Sequence, residues 1–184
     1  RLTATPATIG TAVSGDRWTF PIASAFPDAS APLRGITVIE LAAIIASPLA
    51  ASFLADLGAR VIKVEPVGGD PYRGMNGGFG ANRCNQGKES IGIDLKSSAG
   101  QAIVHELVAT ADIVIHNFRP GVPERLGISY AQLKAVKPDI IYLSANGYGP
   151  DGPSALRPST HPIPGAAMGG AAYQAGGLPA ELLN

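Results

Sequence analysis

Short β-branched runs alternate with helical apolar stripes through the middle of this 184-residue chain, and that alternation leaves few folds open. Residues 36–41 read as a strand. Ser47 followed by Pro48 reads as an N-cap and a first helical residue. Leu49, Phe53 and Leu57, with Ala50 and Leu54, then fall at helical spacing, and Gly58 marks the stop. Residues 60–64 are a second strand and residues 90–95 a short third. Ser98 with Gln101 is a capping-box pattern, followed by a stripe of Ile103, Val104, Leu107, Val108 and Ala111. Residues 112–116 read as a strand, 130–136 as a helix and 140–145 as a strand. The spacings allow right-handed crossovers, so the fold class expected is α/β: an open, mostly parallel sheet with flanking helices.

The flanks differ from this middle. Residues 1–33 are rich in Ala, Thr, Ser and Pro without a clean period, and read as a linker or leading arm in which Trp18, Phe20 and Phe26 suggest packing on something. Residues 34–150 hold the α/β pattern. Residues 151–184 are rich in Gly, Pro and Ala and read as the start of a missing remainder. The first residue is Arg1 rather than Met, so the chain is expected to be cut from something longer. Lys plus Arg is 14 and Asp plus Glu is 14, so no charge excess speaks for nucleic acid or an anionic membrane surface. No apolar run approaches the ~18 residues of a membrane helix. Cys84 is the single cysteine, which excludes an intrachain disulfide, and His105, His116 and His161 lack metal-ligand spacing. A reducing, cytoplasmic setting is expected.

In an open parallel sheet, ligands bind beyond the carboxyl ends of the strands. Those ends lead into residues 42–47, 66–88, 117–121 and 146–152, all small or polar. The helix start after Ser47 offers a modest anion site, and Arg73, Arg83, Lys88, Arg119 and Arg125 are placed to converge on the same edge. A phosphate-bearing ligand is the chemistry this suggests. No G-x-G-x-x-G, Walker A or G-x-S-x-G sequence is present, and the glycine-rich stretch at 66–89 reads equally as a flexible surface excursion.

Five segments in order carry a more specific signal: PLRGITVIEL, LADLGARVIKVEPVGGDPYR, NQGKESIGIDLKSSAGQ, ADIVIHNFRPGVPERLGISYAQL and PDIIYLSANGYGPDGP. This series resembles the amino-terminal half of the class III CoA-transferase family (CaiB/BaiF type), over residues 32 to 168. The resemblance implies a Rossmann-like domain that takes CoA or acyl-CoA as substrate, with no tightly bound cofactor and a small carboxylic acid as the other substrate. It also implies interlocked dimers whose subunits carry a second domain and a returning carboxyl-terminal segment. These 184 residues contain neither, so the chain is expected to be a fragment or a half, and a homodimer or a partner of the missing half.

By resemblance, Lys88 matches the basic residue that reaches the CoA phosphates; the alternative is a solvated loop lysine. Asn117 and Phe118 match the pair beside CoA; the alternative is a strand-end cap and a core aromatic. Arg125 matches an arginine at the nucleotide end, or else forms a helix-surface ion pair. Residues 43–45 match a turn lining the ligand, and Asn146 a position near the thioester. The family's catalytic aspartate becomes an enzyme-bound thioester after attack on acyl-CoA. Its nearest position here is Pro179, and no Asp follows Asp151. Glu181 and His161, the latter from the racemase branch's G-H-D context, remain as catalytic candidates. Three readings stand: a family III CoA-transferase half that binds CoA; a non-catalytic, CoA-holding half of a fused two-copy protein, or a racemase-branch relative; and an unrelated nucleotide-binding module. His105 and His116 fall inside the helix and strand patterns and read as structural.

Overall fold

The computed structural model describes residues 31–159, 162–167, 169–174 and 176. Five strands form one sheet: β1 (Thr37–Leu41), β2 (Arg60–Glu65), β3 (Lys88–Gly92), β4 (Ile113–His116) and β5 (Ile141–Ser144). Their order is β3-β2-β1-β4-β5, and every neighbouring pair is parallel. The chain therefore starts mid-sheet, winds outward to β3, and returns to the other side of β1 through β4. Between them run α1 (Ala46–Asp56), α2 (Phe79–Asn85), α3 (Ser98–Ala109), α4 (Val122–Arg125) and α5 (Tyr130–Val136). The short α6 (Pro162–Ala167) and α7 (Gly170–Gln174) come later in the chain. Among the described residues no helix is long and apolar enough to cross a membrane.

Strand periodicity sorts the core into two faces. Ile39, Leu41, Ile62, Val64 and Val114 pack with Val104, Val108, Ile128 and Leu133 on the α3 and α5 side. Val38, Val61 and Ile115 point the other way, onto Ala51, Ala55 and Ala59. Burial of the α3 stripe follows the sequence period: Val104, Val108 and Ala111 are fully buried, and Ile103 and Leu107 pack against them.

The first helix departs from its predicted stripe. It buries Ser47, Pro48, Ala51, Ser52 and Ala55, while Phe53 and Leu57 are 52% and 45% exposed. The cause is close approach: Ser52 Oγ lies 3.0–3.1 Å from the carbonyl oxygens of Pro48, Arg83 and Cys84, so only small side chains fit between α1 and its neighbours. Its start differs too. Ile45 is the N-cap, without a side-chain bond, and Ser47 is buried one residue inside the helix. On α3 the cap is Ser97 rather than Ser98, its Oγ accepting the Gly100 N–H at 3.0 Å. A Cβ at position 100 would sit 2.0 Å from the Asp94 carbonyl, so glycine lets the preceding turn close onto the helix. The third strand begins at Lys88, two residues before the predicted run. The glycine-rich stretch is structured: a 3₁₀ turn over Pro71–Gly78 leads into α2.

The outer strand is thinly covered. Ile141 and Leu143 share the α1 side of the sheet by register with Ile113 and Ile115, yet are 62% and 46% exposed. No described helix packs on them there.

The packing of α1 makes a direct prediction. Ala51→Leu should destabilise the fold by about 1–3 kcal/mol through overpacking. Phe53→Ala should cost under about 1 kcal/mol, because half of that ring is already in water. Urea denaturation of both variants decides which face of α1 is the core face.

Candidate active-site crevice

The strand order reverses between β1 and β4, and a crevice opens beyond their carboxyl ends, where such sheets bind ligands. It holds about 220 Å³ and is lined by the residues 43–47 turn, Asn117, Arg119, residues 145–147, Ala155, Arg157 and Ser159. No carboxylate lines it, and Arg157 has no ion-pair partner among the described residues. The α1 amino terminus adds positive potential, so the crevice suits an anionic or carbonyl-bearing group. Its volume fits a small acyl group or a thiol arm rather than a whole nucleotide. A larger hollow of about 840 Å³ lies along the glycine-rich stretch and α2, with Arg73 and Arg83 on its wall. Those two cations already pair with Glu65 and Asp56, which leaves the hollow less suited to an anion.

The turn that forms one wall is held in an unusual shape. Ile44 has φ 72°, the left-handed region, and is the one non-glycine residue there among those described. For a β-branched residue this costs about 1–3 kcal/mol, and it persists only if its surroundings enforce it. Asn117 grips Ala43 on both sides, its Oδ1 accepting the Ala43 N–H at 3.0 Å and its Nδ2 donating to the Ala43 carbonyl at 2.7 Å. Asp70 accepts the Ile44 N–H at 3.3 Å, and Lys63 donates to the Ala42 carbonyl at 2.8 Å.

Beneath the turn lies a buried layer of charge. By register Glu40 pairs with Lys63, Lys63 with Ser90, and Val61 with Lys88, so these side chains share the α1 face of the sheet. Lys63 Nζ sits 2.7 Å from Glu40 Oε1 and 3.0 Å from Asp70 Oδ2. Lys88 Nζ donates to the other Glu40 oxygen and, at 2.6 Å, to the Pro48 carbonyl. Two carboxylates and two ammonium groups thus balance, which satisfies the rule that buried charge must be paired. Beside them Glu65 accepts from Arg73, from the Asp70 N–H at 2.7 Å and from Ser90 at 2.8 Å. Burial alone would raise the Glu65 carboxyl, but these donors outweigh it and hold it down at about 2. Burial lowers the Lys88 ammonium, against the pull of Glu40.

The sequence candidates divide. Asn117 and Asn146 line the crevice, and Asn146 Oδ1 is buried without a partner. Arg119 lines it as well, while Arg73 and Arg83 do not converge there. Phe118 is half-buried, packed on the core and stacked 5.7 Å from His116. Arg125 is exposed on α4 with no ion pair among the described residues, so the alternative of a helix-surface pair is not seen there. Lys88 is neither a loop residue nor solvated: it starts β3 and its side chain is 1% exposed. His161 and Glu181 lie outside the described residues. Glu40, Lys63 and Asp70 were not among the candidates. For Glu40 and Lys63 the signal was a charge inside a largely apolar strand run, whereas Asp70 lies in the loop after β2 and carried no such signal.

The histidines fit the structural reading. His105 Nε2 lies 2.6 Å from the Gly127 carbonyl. The His116 Nδ1 accepts the Phe118 N–H at 3.2 Å, and its Nε2 is buried without a partner. Burial pushes the His116 imidazole down from 6.5 to about 4.

Two predictions come from this site. Lys63→Met leaves Asp70 without its cation and Glu40 with half its pairing, and should cost about 3–5 kcal/mol by urea denaturation. Between pH 6.5 and about 4 the unfolded chain holds the proton that folded His116 refuses, so stability falls on acidification. His116→Asn keeps an acceptor for Phe118 and should flatten that part of the stability–pH curve.

The sequence profile of CoA-transferase family III matches residues 33–181. Acetyl-CoA:oxalate CoA-transferase of Acetobacter aceti is 41% identical over 145 residues, covering 75% of this chain and 37% of that protein. Succinate–glutarate CoA-transferase of Agrobacterium fabrum is 44% identical, covering 70% of this chain and 36% of that protein. A solved CAIB/BAIF family protein from Brucella suis superposes with a TM-score of 0.71 at 40% identity, covering 78% of this chain and 40% of that one. The chain thus spans a little over a third of the length of the curated relatives it matches. On sequence and fold alike, it belongs to CoA-transferase family III.

Proposed function

We propose that this domain binds a CoA thioester with its acyl and thiol end in the crevice between β1 and β4, as part of a protein that moves CoA between small carboxylic acids. The crevice at the strand-order reversal, with no carboxylate among its described lining residues, carries the reading. There the Ala43–Ser47 turn, Asn117, Asn146 and Arg119 meet with no acid among the described lining residues. The thioester carbonyl faces the helix start and the amides. The nucleotide end extends outside the crevice, where Arg125 is exposed, has no ion pair among the described residues, and offers a phosphate contact. Phe118 steadies the strand end beside it, and Lys88 acts from below by holding Glu40 and the α1 start. The relatives' acids, oxalate and glutarate among them, point to a short carboxylic acid as acceptor. Glu181 is the candidate nucleophile and His161 a candidate proton carrier, while Pro179 stands nearest the position of the family's catalytic aspartate. That same observation favours a second reading, in which this part of the protein holds CoA without catalysing transfer. A second subunit or further chain covers Ile141 and Leu143, and the buried single cysteine fits a reducing, cytoplasmic setting.

Calorimetric titration with CoA tests the binding. Micromolar affinity is expected, weakened at least about tenfold by Asn117→Ala with Arg125→Ala, or ~1.4 kcal/mol. A folded protein with no CoA response refutes the site. Thioester exchange abolished by Glu181→Gln or His161→Ala refutes the non-catalytic reading.

A further inference from the structure

We infer that Asp70 is a positioning residue: acting through Ile44, it holds the β1–α1 turn in the shape that forms the crevice wall. The inference rests on the reading that CoA enters this crevice. Asp70 itself does not line the crevice, so any effect on the ligand passes through the turn.

The carboxylate is fixed from several sides. It is 4% exposed. Its Oδ1 accepts the Tyr72 N–H at 2.9 Å and its Oδ2 sits 3.0 Å from Lys63 Nζ. Its own backbone N–H donates to Glu65 at 2.7 Å. Against this rigid acceptor the Ile44 N–H lies 3.3 Å from both oxygens. The neighbouring residues have grips of their own, Ala42 from Lys63, which also pairs with Asp70, and Ala43 from Asn117. Ile44 is the residue that strains, with φ 72°, and Asp70 is the side chain that meets its N–H. Without that acceptor an isoleucine relaxes to negative φ. The peptide planes on either side then turn, and the backbone of Ala43 and Ile45 moves out of the crevice wall. Asparagine is a poor substitute, because Ile44 N–H, Tyr72 N–H and Lys63 are all donors and its NH₂ must face one of them.

Glycine at position 44 separates positioning from simple structural support. It adopts φ 72° without strain, so it no longer needs Asp70. The experiment compares the parent, Asp70→Ala and Asp70→Asn, each alone and with Ile44→Gly, in the intact protein. It reads the Ile44 ¹³Cα and ¹³Cβ shifts without ligand and CoA affinity by calorimetry. Expected are Ile44 shifts that leave left-handed values in both Asp70 variants, and an affinity loss of about tenfold or more. In the Ile44→Gly background the same Asp70 change should cost less than about threefold. Unchanged Ile44 shifts, or an equal affinity loss in both backgrounds, overturns the assignment. If Asp70→Ala does not fold, the near-isosteric Asp70→Asn carries both readouts. A parent that ignores CoA refutes the functional reading alone, because the Ile44 shifts still decide the positioning role.

Discussion

Lys63 holds the molecule's working end together. It stands buried in the second strand, and its ammonium bridges Glu40 of β1, Asp70 of the following loop and the Ala42 carbonyl. A charge in that position has no water to turn to, so each partner must be correctly placed before the sheet can close. The register of β1 on β2, the path of the glycine-rich stretch and the start of the β1–α1 turn are all set by one ammonium group. Lys88 extends the arrangement to β3 and to the start of α1. Hydrocarbon in place of such a layer fills the same space but does not dictate which backbone groups are gripped.

The consequence for chemistry is a division of labour along the sheet. Carboxylates are drawn into the buried layer, where each faces a cation or several donors. The crevice above is left with amides, arginines and a helix start. An anionic or carbonyl-bearing ligand meets little repulsion there. The strain at Ile44 belongs to the same design, since the wall it forms depends on acceptors supplied from outside the turn. His116, kept neutral by burial, adds no charge beneath the crevice.

Among the described residues, one face of the sheet is covered throughout and the other is open at β5. The α3 and α5 side has a continuous core, whereas the α1 side leaves β5 with two large aliphatic side chains in water. This agrees with a chain that covers a little over a third of its relatives' length.

Much of the architecture was legible from the residues. The alternation of β-branched runs with helical stripes determined an α/β fold with parallel strands, because periods of 2 and 3.6 bury different faces and parallel strands need crossovers. The five ordered motif blocks determined the family. Asn117 and Asn146 were legible as residues at the carboxyl ends of strands, and both line the crevice. What only the tertiary structure decided depends on distance between remote segments. α1 turned its small face inward because α2 approaches its backbone, which no local period encodes. Lys88 became a buried partner of Glu40, 48 residues away in sequence, rather than a surface cation. Asp70 gained its meaning only when folding set its carboxylate against the Ile44 N–H. Periodicity is a property of neighbours along the chain, while charge pairing and backbone strain are properties of neighbours in space.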